Sequence, residues 1–343
     1  MLGYFNSDWY IGQTTRKVYE SNPLPYTVPE RNYRRGGPND YLPVVDAGIE
    51  SMDAREFLKL LAVESPLLKR GNVNIVPCRT LTISVDKSDI LSRGIIPNEF
   101  KDLVVDRVEL QLREDHLLKR DLVFLDFLAT NNWSRPIYLN NTSLSQLSFD
   151  LRPYIVQEGN AYRVLPVRNP DPETVLVNTT RTYALMVNQF RYRALDDSDV
   201  YYNDDYKILV MTHRSNLNSL AEALVEKGDI KKAEEVVLFS LNKMPDEAVP
   251  YDPSAPDTVN LLFKVGQKER AVDMAQVIAE RSAEVASYLI ANGGDLTFEL
   301  RKNLFLLGSI QRTLFENGEI ESAMRYEESY MRLITELEKR TRG

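Results

Sequence analysis

Cysteine is nearly absent: Cys78 is the single one in 343 residues. That excludes an internal disulfide framework and any metal site built from a cysteine cluster. Histidine is almost as scarce, with only His116 and His213, and no His-Glu-x-x-His can be written. Zinc hydrolases and Ser-His-Asp hydrolases therefore have almost no raw material. Long apolar runs are missing too. The longest stretch without a charged residue, 136–149, is 14 residues rich in Asn, Ser, Thr and Gln, short of the roughly 20 apolar residues that a bilayer span needs. The first eight residues carry neither the basic nor the apolar segment of a secretory signal. The 15 glycines are scattered, so no glycine-rich phosphate loop is written. A net charge of −8 argues against a nucleic-acid binder that relies on a broad basic surface.

What is present is the composition of a folded protein: 43% hydrophobic and 27% charged residues. At about 150 residues per domain the length predicts two or three domains. Proline divides them. Thirteen of the 17 prolines lie at or before Pro172, and residues 173–244 and 257–343 contain none. Proline interrupts helix interiors, so these tracts are the candidates for long helices. The first part reads as short β-branched or aromatic runs between breakers: Val73-Asn74-Ile75-Val76, Leu81-Thr82-Ile83-Ser84-Val85, Leu103-Val104-Val105, Pro136-Ile137-Tyr138-Leu139 and Ala161-Tyr162-Arg163-Val164-Leu165. Helical patterns sit between them at 53–63, where Asp53 and Glu56 suit a capping box, and at 119–130. The expectation is an α+β chain: a mixed α/β domain over 1–172, then an all-α region over 173–343.

The second region repeats a spacing. Gly228 precedes Ala233 by five residues, Gly266 precedes Ala271, and Gly318 precedes Ala323, each with an apolar helical pattern on both sides. In tetratricopeptide-like pairs the glycine ends the first helix and the small alanine lets the second pack closely. The first unit is the fullest, with Leu217, Leu220, Ala221, Leu224, Val237 and Leu241 before Pro245. Separations of 38 and 52 residues make the array degenerate, and an ordinary bundle with helix-ending glycines stands as its alternative.

Motifs that carry chemistry are few. The run 196–205 holds five aspartates; Asp197-Ser198-Asp199 has the form of a metal-holding pair, but no apolar strand precedes it and the calcium-loop glycine and distal glutamate are missing. A solvated loop is the expectation. Ser84-Val85-Asp86-Lys87 matches Ser-x-x-Lys without its companion elements. The first 41 residues interleave Tyr4, Phe5, Trp9, Tyr10, Tyr19, Tyr26, Tyr33 and Tyr41 with Arg16, Lys17, Arg31, Arg34 and Arg35. Aromatic faces beside cations stack on sugars or bases, or the rings simply bury against the domain. Residues 131–138 read as an exposed-looking turn entering a strand: Trp133 and Arg135 either meet a ligand there or, as local chemistry favours, Trp133 plugs the helix-to-strand corner while Arg135 pairs with a carboxylate. No catalytic residue, metal or cofactor is assigned. The speculative ligand site is Trp9, Tyr10, Trp133, Arg135 and Arg163, a set suited to a phosphorylated sugar if the fold brings it together.

Four segments also follow one another in a familiar order: Ser7-Asp8-Trp9-Tyr10-Ile11-Gly12-Gln13, residues 131–139, Glu158-Gly159-Asn160-Ala161-Tyr162-Arg163-Val164-Leu165-Pro166, and Phe190-Arg191-Tyr192-Arg193-Ala194-Leu195-Asp196. Along nearly its whole length the chain resembles a family of bacterial multi-pass membrane proteins, formerly a domain of unknown function, related to type C glycosyltransferases and protein O-mannosyltransferases. Gly12 departs from that pattern, which more often has Asp there. The resemblance implies the soluble C-terminal part of a larger protein at the periplasmic face of the inner membrane. It would be non-catalytic by itself, with transmembrane helices and the catalytic carboxylate upstream. The implied partners are acceptor polypeptide or the membrane-embedded portion of the same protein, with no nucleic acid and no span in this chain. A helical-repeat interaction scaffold unrelated to glycosylation is the competing expectation.

Overall fold

The computed structural model describes residues 2–16, 22–292 and 296–341, and the chain forms two compact units, Met1–Asn178 and Thr179–Gly343. Tyr19 and Lys17 of the aromatic arm lie outside the described residues. The first unit begins with α1 (Asp8–Thr14), β1 (Tyr41–Pro43), β2 (Met52–Asp53), α2 (Ala54–Ala62), β3 (Lys69–Arg70), β4 (Val73–Asn74), β5 (Thr80–Ser84) and α3 (Lys87–Ser92). It continues through β6 (Arg107–Gln111), β7 (His116–Leu118), α4 (Lys119–Thr130), β8 (Tyr138–Leu139), α5 (Asn141–Gln146), β9 (Ile155–Glu158), β10 (Ala161–Val164) and β11 (Leu176–Val177).

The strands are short, and those described form four small sheets, two of them mixed. In β2-β5-β6 the first pairing is parallel and the second antiparallel; in β11-β9-β10-β8 the β11–β9 pairing is parallel and the others antiparallel. Strand β6 alternates, with Val108 and Leu110 inward and Arg107, Glu109 and Gln111 outward, as a sheet with one wet face requires. The hairpin β9–β10 closes on Gly159-Asn160, and Gly159 has φ +69° at the first turn position, where a type II′ turn demands glycine. The expected strand at Leu103-Val104-Val105 is not one. A 3-10 turn, Asn98–Leu103, ends there, and Val104 makes an isolated bridge to Val167. Pro166 lies beside that bridge and has no N–H to extend a ladder.

Helices order the core. Asp53 caps α2 by accepting from the N–H groups of Arg55 and Glu56, and Ala54, Phe57, Leu58 and Leu61 form its buried stripe. Helix α4 coincides with the pattern at 119–130 and is buried almost all round, including Lys119, Asp121 and Asp126. Strand β11 carries the first unit beyond Pro172, because its parallel pairing with β9 lies within that unit.

The described secondary-structure elements of the second unit are all helical. α6 (Thr179–Tyr183) runs into a π-helical turn, Ala184–Gln189, and three helix pairs follow: α7 (Asp204–Glu226) with α8 (Ile230–Lys243), α9 (Ala255–Lys264) with α10 (Lys268–Ala291), and α11 (Phe298–Glu316) with α12 (Ile320–Thr341). The repeated glycines sit at the three intra-pair turns with φ +78°, +82° and +83°. Each turn uses the same pair of bonds. Gly228 N–H donates to Val225 and Asp229 N–H to Leu224; Gly266 and Gln267 donate to Phe263 and Leu262; Gly318 and Glu319 donate to Phe315 and Leu314. That is the Schellman arrangement, which needs a left-handed residue at its centre. Five residues on, Ala233, Ala271 and Ala323 are fully buried, so the glycine–alanine spacing is a turn followed by a close helix contact.

Buried polar groups join the first pair to the second. Arg214 on α7 is ion-paired to Asp252 and donates to the carbonyls of Met244 and Val249, both at 3.1 Å. Asn218 donates to the Ser254 carbonyl at 2.9 Å and accepts from Thr258 at 3.0 Å. No helix among the described residues is long and apolar enough to cross a membrane.

Candidate functional site

The segment around α1 combines a buried anchor with an exposed ring. Leu2, Phe5 and Ile11 enter the hydrophobic core. Tyr10 is half-buried behind them, its ring centroid 5.5 Å from those of Tyr4 and Phe5 and 6.2 Å from that of Trp9. Trp9 itself is 67% exposed. Leaving an indole in water forgoes about 2–3 kcal/mol of burial, and among the described rings Tyr10 is the one in contact with it.

Asp8, the next residue toward the N-terminus, is fixed by a buried lysine. Lys119, only 4% exposed at its side chain, opens α4 and places Nζ 2.7 Å from Asp8 Oδ1 and 3.7 Å from Asp40 Oδ1. The Arg35 backbone N–H donates to Asp8 as well, at 3.0 Å to Oδ2. The Lys119 hydrogen bond, then that of Arg35, hold the Asp8 carboxyl below the usual carboxylate range. A cavity of about 600 Å³ opens here, lined by Gly3, Asn6, Ser7, Asp8, Trp9 and Arg35. Among the described residues the side chains of Asn6, Ser7 and Arg35 make no hydrogen bond or ion pair, and the Ser7 hydroxyl does not cap α1. The result is an aromatic platform beside a charged carboxylate, with an amide, a hydroxyl and a guanidinium uncommitted.

The other residues expected at a ligand site have separate local partners. Trp133 is 6% exposed and lies in the core at the corner between α4 and β8, while Asn132, Ser134 and Pro136 of the same turn are exposed. Asn132 and Trp133 both have positive φ, +44° and +59°, conformations that cost non-glycine residues about 1–3 kcal/mol each. The buried Asn131 braces them, donating to the Arg135 carbonyl at 2.7 Å and accepting from the Arg135 N–H at 3.1 Å. The Arg135 guanidinium donates to the Asn22 carbonyl at 2.7 Å. Arg163, on β10, pairs with Glu158 at 3.5 Å.

Two polar clusters had escaped the sequence reading. Glu158, buried at the end of β9, accepts from the Tyr138 hydroxyl at 2.6 Å and from Asn178 Nδ2 at 3.1 Å in addition to facing Arg163. Asp126 accepts from the N–H groups of Thr27 and Val28 and from the hydroxyls of Tyr33 and Thr130. Burial pushes its carboxyl upward, while those four bonds pull it down. Two aspartates inside the otherwise apolar Asp121-Leu122-Val123-Phe124-Leu125-Asp126-Phe127-Leu128 were the available signal. In the acidic run, Asp197 accepts from the Asp199 N–H at 3.0 Å as in an Asx turn, and Asp196 lies 3.9 Å from Lys243.

Residues 1–181 match the family model described as TMEM260-associated domain 2. No curated protein and no solved structure matches the chain.

Proposed function

We propose, on the premise that this chain belongs to the TMEM260-associated domain 2 family, a domain tied to a family of membrane proteins, that it is the extracytoplasmic C-terminal part of a membrane-embedded glycosyltransferase of the protein O-mannosyltransferase kind. In this reading the chemistry belongs to the membrane-embedded part upstream, and the chain described here positions acceptor protein at the periplasmic face. The observation that carries the reading is the succession of a family-matched first unit and three stacked helix pairs. Arrays of helix pairs present long, continuous side-chain surfaces to extended polypeptide.

Two measurements test it. The gene upstream of Met1 is expected to encode many hydrophobic spans with an acidic first loop; a signal peptide or a simple start codon would end the glycosyltransferase reading. In the full-length protein, removal of residues 179–343 is expected to raise KM for protein acceptors at least tenfold with kcat little changed, whereas unchanged KM would refute acceptor positioning. The side of the membrane is read by converting the exposed Tyr201 to Cys. A membrane-impermeant maleimide is expected to label it in intact spheroplasts.

One observation favours a second reading, a protein-interaction scaffold with no link to glycosylation. On the last helix pair Phe305, Phe315, Met324 and Met331 are all more than half exposed, and apolar side chains so exposed mark contact surfaces when they cluster.

A further inference from the structure

We infer that the cavity beside Trp9 is a carbohydrate subsite, taking one pyranose ring with its C–H face on the indole and its hydroxyls on Asp8, Asn6, Ser7 and Arg35. The site is built from residues of the first unit, whereas acceptor positioning is assigned to the helix pairs of the second, so it stands or falls without that reading.

Four observations converge. A pyranose has an apolar face of C–H groups and an edge of hydroxyls, so it needs a flat aromatic surface next to mixed donors and acceptors. Trp9 supplies that surface, exposed but packed from behind by Tyr10. The lining then offers an acceptor-only group in Asp8, a donor-only group in Arg35, and two groups of both kinds in Asn6 and Ser7. Asp8 is already held in place by Lys119 and by the Arg35 N–H, so little ordering is left for a ligand to impose. The cavity, about 600 Å³, lies within the range of small-molecule sites.

Other ligand chemistries fit less well. A cation would face Arg35 at the rim and, behind Asp8, the ammonium of Lys119. A purely apolar ligand would bury the Asn6 amide and the Arg35 guanidinium without partners, at about 1–3 kcal/mol for each group. A pyranose satisfies both.

The test uses the full chain labelled with 5-fluorotryptophan, whose two tryptophans give two fluorine resonances. Loss of one signal in Trp9→Phe assigns them. Methyl α-glucopyranoside, methyl α-mannopyranoside and methyl α-galactopyranoside are titrated separately to about 100 mM, far above the millimolar Kd expected of a single stacked ring. At least one is expected to move the Trp9 resonance saturably while that of the buried Trp133 stays fixed. Asn6→Ala and Arg35→Ala, both at exposed positions, are expected to raise that Kd about 3- to 10-fold each. No saturable shift with any of the three sugars overturns the inference, as does a shift shared equally by Trp133. A Trp9 shift produced by vesicles of phosphatidylglycerol and phosphatidylethanolamine, with silence toward the sugars, overturns it in favour of a membrane contact. None of these outcomes bears on what lies upstream of Met1, so failure of the subsite and failure of the glycosyltransferase reading remain distinguishable.

Discussion

The Tyr33 hydroxyl donates to Asp126 Oδ2 at 2.7 Å across 93 positions of sequence, with both side chains buried. Asp126 also takes the N–H groups of Thr27 and Val28, so one carboxylate on α4 fastens three points of the aromatic arm. Burial of the Tyr33 ring and the adjacent carboxylate hold its phenol well above the ordinary tyrosine value, keeping it a donor at every physiological pH. Asp126→Ala is expected to cost about 3 kcal/mol, because it strands several buried donors, and Tyr33→Phe about 1 kcal/mol, because it removes a single bond. Urea midpoints of the two variants check the order. Equal losses would mean that the carboxylate fastens the arm through Tyr33 alone.

The pair Lys119–Asp8 predicts an asymmetry. Lys119 is buried, whereas Asp8 is 48% exposed at its side chain. Asp8→Ala therefore leaves a buried ammonium facing only Asp40 at 3.7 Å, and is expected to cost about 3 kcal/mol. Lys119→Met leaves a carboxylate that water can still reach, and is expected to cost less than about 1.5 kcal/mol. The double variant should recover most of the Asp8→Ala loss. Thermal denaturation of the three proteins decides it, and equal single-variant losses would count against a buried-charge origin.

Much of the fold was legible because it rests on local rules. Proline placement marked where long helices could run, and the glycine–alanine spacing marked the three Schellman turns. Helix α4 stood out by its apolar length. Strands β6 and β9 went unread: Arg107-Val108-Glu109-Leu110-Gln111 alternates correctly but carries three polar residues, and only pairing with β5 makes it a strand. Of the candidate site, Trp9 could be named from its neighbourhood of aromatic and basic residues. Lys119 could not, since its burial depends on Asp8 and Asp40, 111 and 79 positions away. Trp133, named with the ligand set, takes the corner-filling alternative instead, buried in a turn where Asn132 and Trp133 have positive φ, and no sequence pattern announces positive φ at Asn-Trp.

Acid sensitivity should trace to Asp150. Burial by itself would raise its carboxyl, but hydrogen bonds from Arg152 and Arg113 outweigh burial and bring it down from 3.8 to about 2. A carboxyl with a depressed folded-state value stabilises the protein above about pH 4 and loses that contribution as pH falls through about 2. With solvent reaching part of the cluster, the contribution is about 1–2 kcal/mol. Asp150→Asn is thus expected to be less stable than the parent at pH 7 and equal to it near pH 2. Guanidinium titrations at several pH values measure the gap, and a gap that does not close on acidification would show that charge is not its source.

The repeated turns set up the last prediction, a contrast between two neighbouring positions. At Gly266 the backbone has φ +82°, yet an added Cβ would meet nothing within 4 Å. Gly266→Ala therefore bears the left-handed strain alone, about 1–2 kcal/mol. Five residues later Ala271 is completely buried, on a helix that packs against α9, α11 and α12. Ala271→Leu has no room for its three extra carbons and must push neighbouring helices apart, at about 3 kcal/mol or slightly more. Replacing the same two positions in the other turns, Gly228 with Ala233 and Gly318 with Ala323, should reproduce the order if the spacing encodes one packing device used three times. Differential scanning calorimetry of the six variants tests this. A repeat in which the alanine variant melts above its glycine partner is not built on close helix approach, and the shared spacing there would be coincidence of turn chemistry alone.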